Sequence, residues 1–135
     1  MQAVLSEAPY LLIDTKLSIH LGQMIEDPDV LVADGAACLL WWAGLAGRAA
    51  FPRLKQFVQG TATPDRRARA ANVLGRVATF ARLRELEATL ENEKATEVQR
   101  ELKSAVAYIR LLGTAPEDRY FLKNRYVPPL SSRIR

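Results

Sequence analysis

Apolar residues along this chain recur at helical spacing, and no stretch shows the period-two alternation of a half-buried strand. Leu17, Leu21, Met24 and Ile25 mark a first helix from about Tyr10 to Glu26. Asp27-Pro28-Asp29 then breaks the chain and starts a second helix reaching about Ala43, since proline and aspartate both suit a helix N-terminus. Gly44 and Gly47 punctuate the turn before a third helix, about Ala49 to Gln59. The segment Gly60 to Asp65 is the clearest turn, with Thr63 placed to cap a fourth helix through its side chain and Pro64 at the first helical position. That helix is expected over Pro64 to Phe80, with Ala70, Val73, Leu74 and Val77 inward. A fifth follows over Ala81 to Glu93 (Leu83, Leu86 and Leu90 inward), and a sixth over Thr96 to Leu112 (Leu102, Ala105, Val106, Ile109 and Leu112 inward). Gly113 is placed to end it in a left-handed conformation.

The pattern repeats. Ala36-Ala37-Cys38-Leu39-Leu40 aligns with Ala70-Ala71-Asn72-Val73-Leu74 and, more weakly, with Ser104-Ala105-Val106-Ala107-Tyr108, at an offset of 34 residues each time. Phe51, Leu54 and Val58 match Leu83, Leu86 and Leu90 in the partner helices. Two helices per unit, each unit burying its face on the next, predict a short all-α solenoid of antiparallel helix pairs.

Within the second unit, the string from Pro64 to Val77 resembles HEAT repeats, particularly the PBS-lyase-like HEAT units, through Asp65, Arg69, Ala70, Ala71, Leu74 and Gly75. The unit from Asp29 to Val58 keeps the aspartate, the alanine pair and Pro52 but lacks the arginine and the leucine-glycine step; the third keeps only the apolar spacing. The resemblance implies a HEAT-like stack and an arginine near Arg69 that pairs with the acid at Asp65. By family analogy it also implies an accessory to a chromophore lyase, although a fold analogy alone does not carry function. A 34-residue period also suits tetratricopeptide repeats, but Ala78 and Arg82 stand where that family wants other residues. A non-repetitive helical bundle is the remaining alternative.

The expected organisation is a helical-repeat domain over 1–113, with units at about 28–60, 64–93 and 95–112, followed by a tail over 114–135. The tail mixes aromatic and basic residues, Arg119-Tyr120-Phe121-Leu122-Lys123-Asn124-Arg125-Tyr126, before Pro128-Pro129 forbids a continuing helix. Such a tail is expected to fold back over an exposed helix layer or to fray.

Composition and charge refine this picture. With 49% hydrophobic and 25% charged residues over 135 positions, one domain with its own core is expected. The net charge of +4 conceals a segregation. Residues 1–47 hold one basic side chain against six acidic ones, 48–84 hold nine against one, 85–101 hold two against six, and 102–135 hold seven against two. Such blocks either pair across packed helices or form separate acidic and basic surfaces.

Chemistry is sparse. Cys38 is the only cysteine, so no internal disulfide forms, and its apolar setting predicts a small buried hydrophobe in a reducing, cytoplasmic location. His20 is the only histidine, between Ile19 and Leu21, and one His with one Cys cannot make a usual zinc site. No phosphate-cradling loop or nucleophile motif occurs, so no catalytic residue, cofactor or metal is assigned. Glu85, Glu87, Glu91 and Glu93 are expected on a solvated face. The N-terminal residues do not resemble a signal peptide, and the longest apolar stretch, Gly35 to Ala46, is shorter than a bilayer span.

Two binding readings follow. Trp41 and Trp42 point about 100° apart on a helix and cannot share one narrow core stripe, so with the tail residues Tyr120, Phe121 and Tyr126 they are the candidates for contact with a protein partner, a larger assembly or a second copy. The alternative is nucleic acid, bound along a basic stripe at Arg66, Arg69 and Arg76. The leading expectation is a non-catalytic protein-interaction module or adaptor.

Overall fold

The computed structural model describes residues 13–112. Every regular element among the described residues is helical: α1 (Thr15–Met24), α2 (Val30–Ala43), α3 (Phe51–Val58), α4 (Pro64–Val77), α5 (Leu83–Asn92) and α6 (Thr96–Leu112). Two 3-10 segments, Gly44–Ala50 and Phe80–Arg82, lead into α3 and α5.

Helix boundaries follow the capping chemistry. Asp14 accepts the Leu17 N–H at 2.8 Å, so α1 starts later than the apolar spacing suggested, while Tyr10 to Leu12 lie outside the described residues. Asp29 caps α2 through the Leu31 N–H at 3.0 Å, and Asp27 in turn accepts the Asp29 N–H. Thr63 adopts the extended backbone of an N-cap, but its side chain makes no capping bond; Pro64, which has no N–H to satisfy, leads α4 instead. Helix α4 ends at Val77, three residues short of the expected end, because Ala78 turns to extended backbone. Helix α6 has the expected bounds, and Gly113 lies outside the described residues.

Gly44 ends α2 at φ 56°, the only positive φ among the described residues and a conformation that side chains with a Cβ resist. The helical stretch Val30–Val58 that continues through it is longer than the apolar run seen in the sequence. Its length, and a mean hydropathy of 1.6 over its most apolar 18 residues, would suffice to cross a membrane, although half of that window is buried inside the fold.

The main core runs through all six helices. Leu40, Phe51, Leu54, Leu74, Leu86, Leu102 and Ile109 are its largest fully buried side chains, each contributing roughly 1.5–3 kcal/mol of burial free energy. Helix α4 is the central element: it packs on α2, α3, the first 3-10 segment and α6. Of the positions aligned at the 34-residue period, Ala37, Ala71 and Ala105 are buried in all three units, whereas Ser104 is exposed where Ala36 and Ala70 are buried. Small side chains let the helices approach closely, most of all where Gly75 of α4 meets Ala105 of α6.

The segregated charges pair across these contacts. From the basic stretch, Arg53 binds Glu26 (2.5 Å), Arg69 binds Asp34 (2.6 Å) and Arg67 binds Glu93 (2.7 Å). Lys55 and Arg82 converge on Glu85 at 3.0 and 2.9 Å, and Arg110 pairs with Glu87. The basic block is thus clasped from both sides by the acidic blocks that flank it in sequence.

Candidate interaction site

Three helices build a grooved surface among the described residues. Helix α4 forms its floor, and α2 and α6 form its walls. One groove of about 320 Å³ includes Asp34, Cys38, Trp41, Arg69, Asn72 and Glu101 in its lining. A second, sharing Trp41, Asn72 and Glu101 with it, continues toward Arg76, Ser104 and Tyr108. At one end the Arg69 guanidinium pairs with Asp34 rather than with Asp65, the partner implied by the HEAT resemblance. The carboxylate on the neighbouring helix is the one that meets the guanidinium. In the middle, Asn72 donates to Glu101 at 3.2 Å, tying α4 to α6.

At the other end Arg76 is buried at 6% exposure. Its guanidinium carbon lies 4.1 Å from the Trp41 ring centroid and 5.0 Å from that of Tyr108. It donates to the Tyr108 hydroxyl oxygen at 2.7 Å and to the Trp41 carbonyl at 3.4 Å. A cation held between two aromatic faces and hydrogen-bonded at its edge joins α2, α4 and α6 at one point. Tyr108 falls on the weakest of the three repeats, and nothing in its spacing alone pointed to this role.

The arginines of the expected basic stripe are engaged within the fold. Arg66 donates to the backbone carbonyls of Ile25 (3.0 Å) and Asp27 (2.5 Å), closing the α1–α2 turn. Arg69 is half-exposed but paired, and Arg76 is enclosed. The three side chains therefore do not form one open basic face.

Arg67 is more deeply committed still. It donates to the carbonyls of Val58 and Ala62 and to Glu93, with side-chain exposures of 13% for Arg67 and 8% for Glu93. Glu93 is therefore enclosed, and of the expected solvated face only Glu91 stands exposed, since Glu85 and Glu87 are half-buried and ion-paired. Burial alone would raise its carboxyl, but the Arg67 guanidinium and the Ala95 and Lys94 N–H groups hold it below the usual glutamate range. Glu85 is likewise held low, by hydrogen bonds from Arg82 and Lys55.

Beside the groove, α2 presents an apolar stripe to solvent. Leu31 is 82% exposed and Leu39 46%, with Cys38 between them on the same face and Gly35 opening onto empty space. Cys38 is exposed, contrary to the buried position its sequence surroundings suggested. Helix α2 is apolar nearly all round, so its composition could not tell which side faces out. Of the two tryptophans expected as contacts, Trp41 is instead buried at 4% exposure in the groove lining, and Trp42 is half-buried, its ring 5.5 Å from Trp41 at an interplanar angle of 79°. Tyr120, Phe121 and Tyr126 lie outside the described residues.

Among the described residues no group of three or more His, Cys, Asp or Glu side chains is placed to hold a metal ion. Compared with known proteins, the chain matches no family model, no curated protein and no solved structure.

Proposed function

We propose that this chain is a non-catalytic protein-interaction module, built on stacked HEAT-like helix pairs and working in the cytoplasm as an adaptor. The observation that carries this reading is the apolar stripe of α2, with Leu31 and Leu39 exposed and Trp42 partly so beside a groove. An exposed apolar helix face bordered by polar residues is the usual mark of a protein-binding surface. The stack is supported by the central place of α4 between α2 and α6, and by the burial of Ala37, Ala71 and Ala105 at one 34-residue interval. Nucleic-acid binding through Arg66, Arg69 and Arg76 is the weaker reading, since each would first have to leave an intramolecular partner.

The test is affinity capture from the native lysate, with and without nuclease, comparing the full chain with its Leu31→Asp/Leu39→Asp double variant. Both side chains are exposed, so helicity by circular dichroism should be unchanged. One or two stoichiometric proteins that survive nuclease and are lost with the variant are expected. An identical protein set on the variant, or a set that vanishes with nuclease, overturns the proposal.

A further inference from the structure

Helix α6 ends at Leu112, which packs with Leu45 just beyond the C-terminal end of α2, while Tyr108 one turn earlier reaches Arg76 beside Trp41. The chain therefore leaves the described fold at the end of the α2 stripe nearest Trp42, with 23 residues still to run. From Trp42 back to Leu31 the stripe is about 16 Å long at the rise of an α-helix. Gly113 to Arg119 can reach about 23 Å when extended, so Tyr120 onward has access to the whole stripe.

The two surfaces are also complementary in character. The groove beside the stripe carries Asp34, Asp65 and Glu101 against Arg69 alone, an excess of two negative charges. Tyr120 to Leu130 carries Lys123 and Arg125 with no acidic residue, an excess of two positive charges. The same eleven residues supply Tyr120, Phe121, Leu122, Tyr126, Val127 and Leu130 for an apolar face. Pro128-Pro129 favours an extended run along a groove over a further helix.

We infer that the segment Tyr120 to Leu130 seats on the α2 stripe and adjoining groove of its own chain, as an internal occupant that a partner must displace. This rests on the reading of that surface as the binding site and adds its regulation. Attachment to the same fold gives the segment an effective concentration in the millimolar range, so even a weak contact keeps the surface largely covered. A partner then binds with its affinity reduced by the fraction of time the surface is covered.

Cys38 lies in this surface and is the only thiol in the chain, which makes it a direct reporter of coverage. The experiment is the alkylation rate of Cys38 by iodoacetamide in the full chain, compared with a Tyr120→Asp/Phe121→Asp/Tyr126→Asp variant and a Lys123→Glu/Arg125→Glu variant. The natural chain is expected to react at least about fivefold more slowly than the aromatic variant, at a rate independent of protein concentration. The charge variant should fall between them, and salt should draw the natural chain toward it by screening the charges. Equal rates in all three chains overturn the proposal. Protection that grows with protein concentration also overturns it, in favour of a second copy on the same surface. Capture lost with Leu31→Asp/Leu39→Asp is read independently, so Cys38 can prove uncovered while the interaction surface stands.

Discussion

Replacing Gly75 with alanine sets two effects of known sign against each other. The new Cβ would lie 2.6 Å from the Cβ of Ala105 and 2.9 Å from its Cα. Comfortable carbon–carbon contacts are about 3.5–4.0 Å, so α4 and α6 would have to part by roughly 1 Å. Because the obstruction includes helix backbone, no side-chain rotation relieves it. Overpacking of this kind costs about 1–3 kcal/mol, and separation also thins the contacts that Leu74, Leu102 and Ile109 make across the same junction. Alanine returns roughly 1 kcal/mol through helix propensity. The expected net loss is up to about 2 kcal/mol, seen in urea unfolding followed at 222 nm as a midpoint lowered by up to about 1 M with an unchanged slope. Gly35 provides an internal control, since a Cβ there meets nothing within 4 Å. Gly35→Ala should therefore stabilise by about 0.5–1 kcal/mol. Adding Ala105→Gly to Gly75→Ala should reveal a coupling of at least about 1 kcal/mol in a double-mutant cycle. A Gly75→Ala protein stabilised as much as Gly35→Ala would refute the close approach of α4 and α6.

Glu93→Gln should cost about 1–3 kcal/mol at neutral pH, because it leaves the enclosed Arg67 guanidinium without its counter-charge. Since Glu93 is held below its usual range when folded, the unfolded chain takes up that proton first as pH falls. Its contribution is complete above the ordinary glutamate value near 4.3 and is lost as pH drops through the folded value, so urea midpoints of the two proteins should converge below about pH 4. Arg76→Met keeps length and burial but removes the charge between Trp41 and Tyr108; a loss of about 1–2 kcal/mol is expected, with changed near-ultraviolet dichroism from the Trp41 environment. An unchanged aromatic spectrum would show that the cation does not hold those rings.

What the sequence could reveal follows from how local each signal is. Asp29, Pro64 and the spacing of Leu102, Val106 and Ile109 act within one helix, and the starts of α2 and α4 and the whole of α6 were readable from them. That Trp41 and Trp42 could not share one stripe was readable too, because 100° per residue is geometry, but which of the two is buried was not, since α2 is apolar nearly all round. Partners across helices were not. Arg69 has Asp65 four residues away on its own helix, yet it meets Asp34, a choice set by how α2 lies on α4. Leu17 shares the spacing of Leu21 but stands 36% exposed, while its neighbour Ser18 is the buried residue of that turn and donates to the Ala46 carbonyl. Asn72, Glu101 and Tyr108 acquire meaning only when three helices bring them to one groove.

The clasp of basic by acidic blocks has a kinetic side. Arg53–Glu26, Lys55–Glu85, Arg67–Glu93 and Arg69–Asp34 join positions 26 to 35 residues apart, and the reach of Arg66 to the Ile25 carbonyl extends this to 41. Closing a loop of that length costs little more than closing one half as long. Each contact can therefore form once a neighbouring helix pair is present, without waiting for the two ends of the chain to meet. Either flank of α4 can thus close on it independently of the other, so that nucleation is open on both sides of that helix.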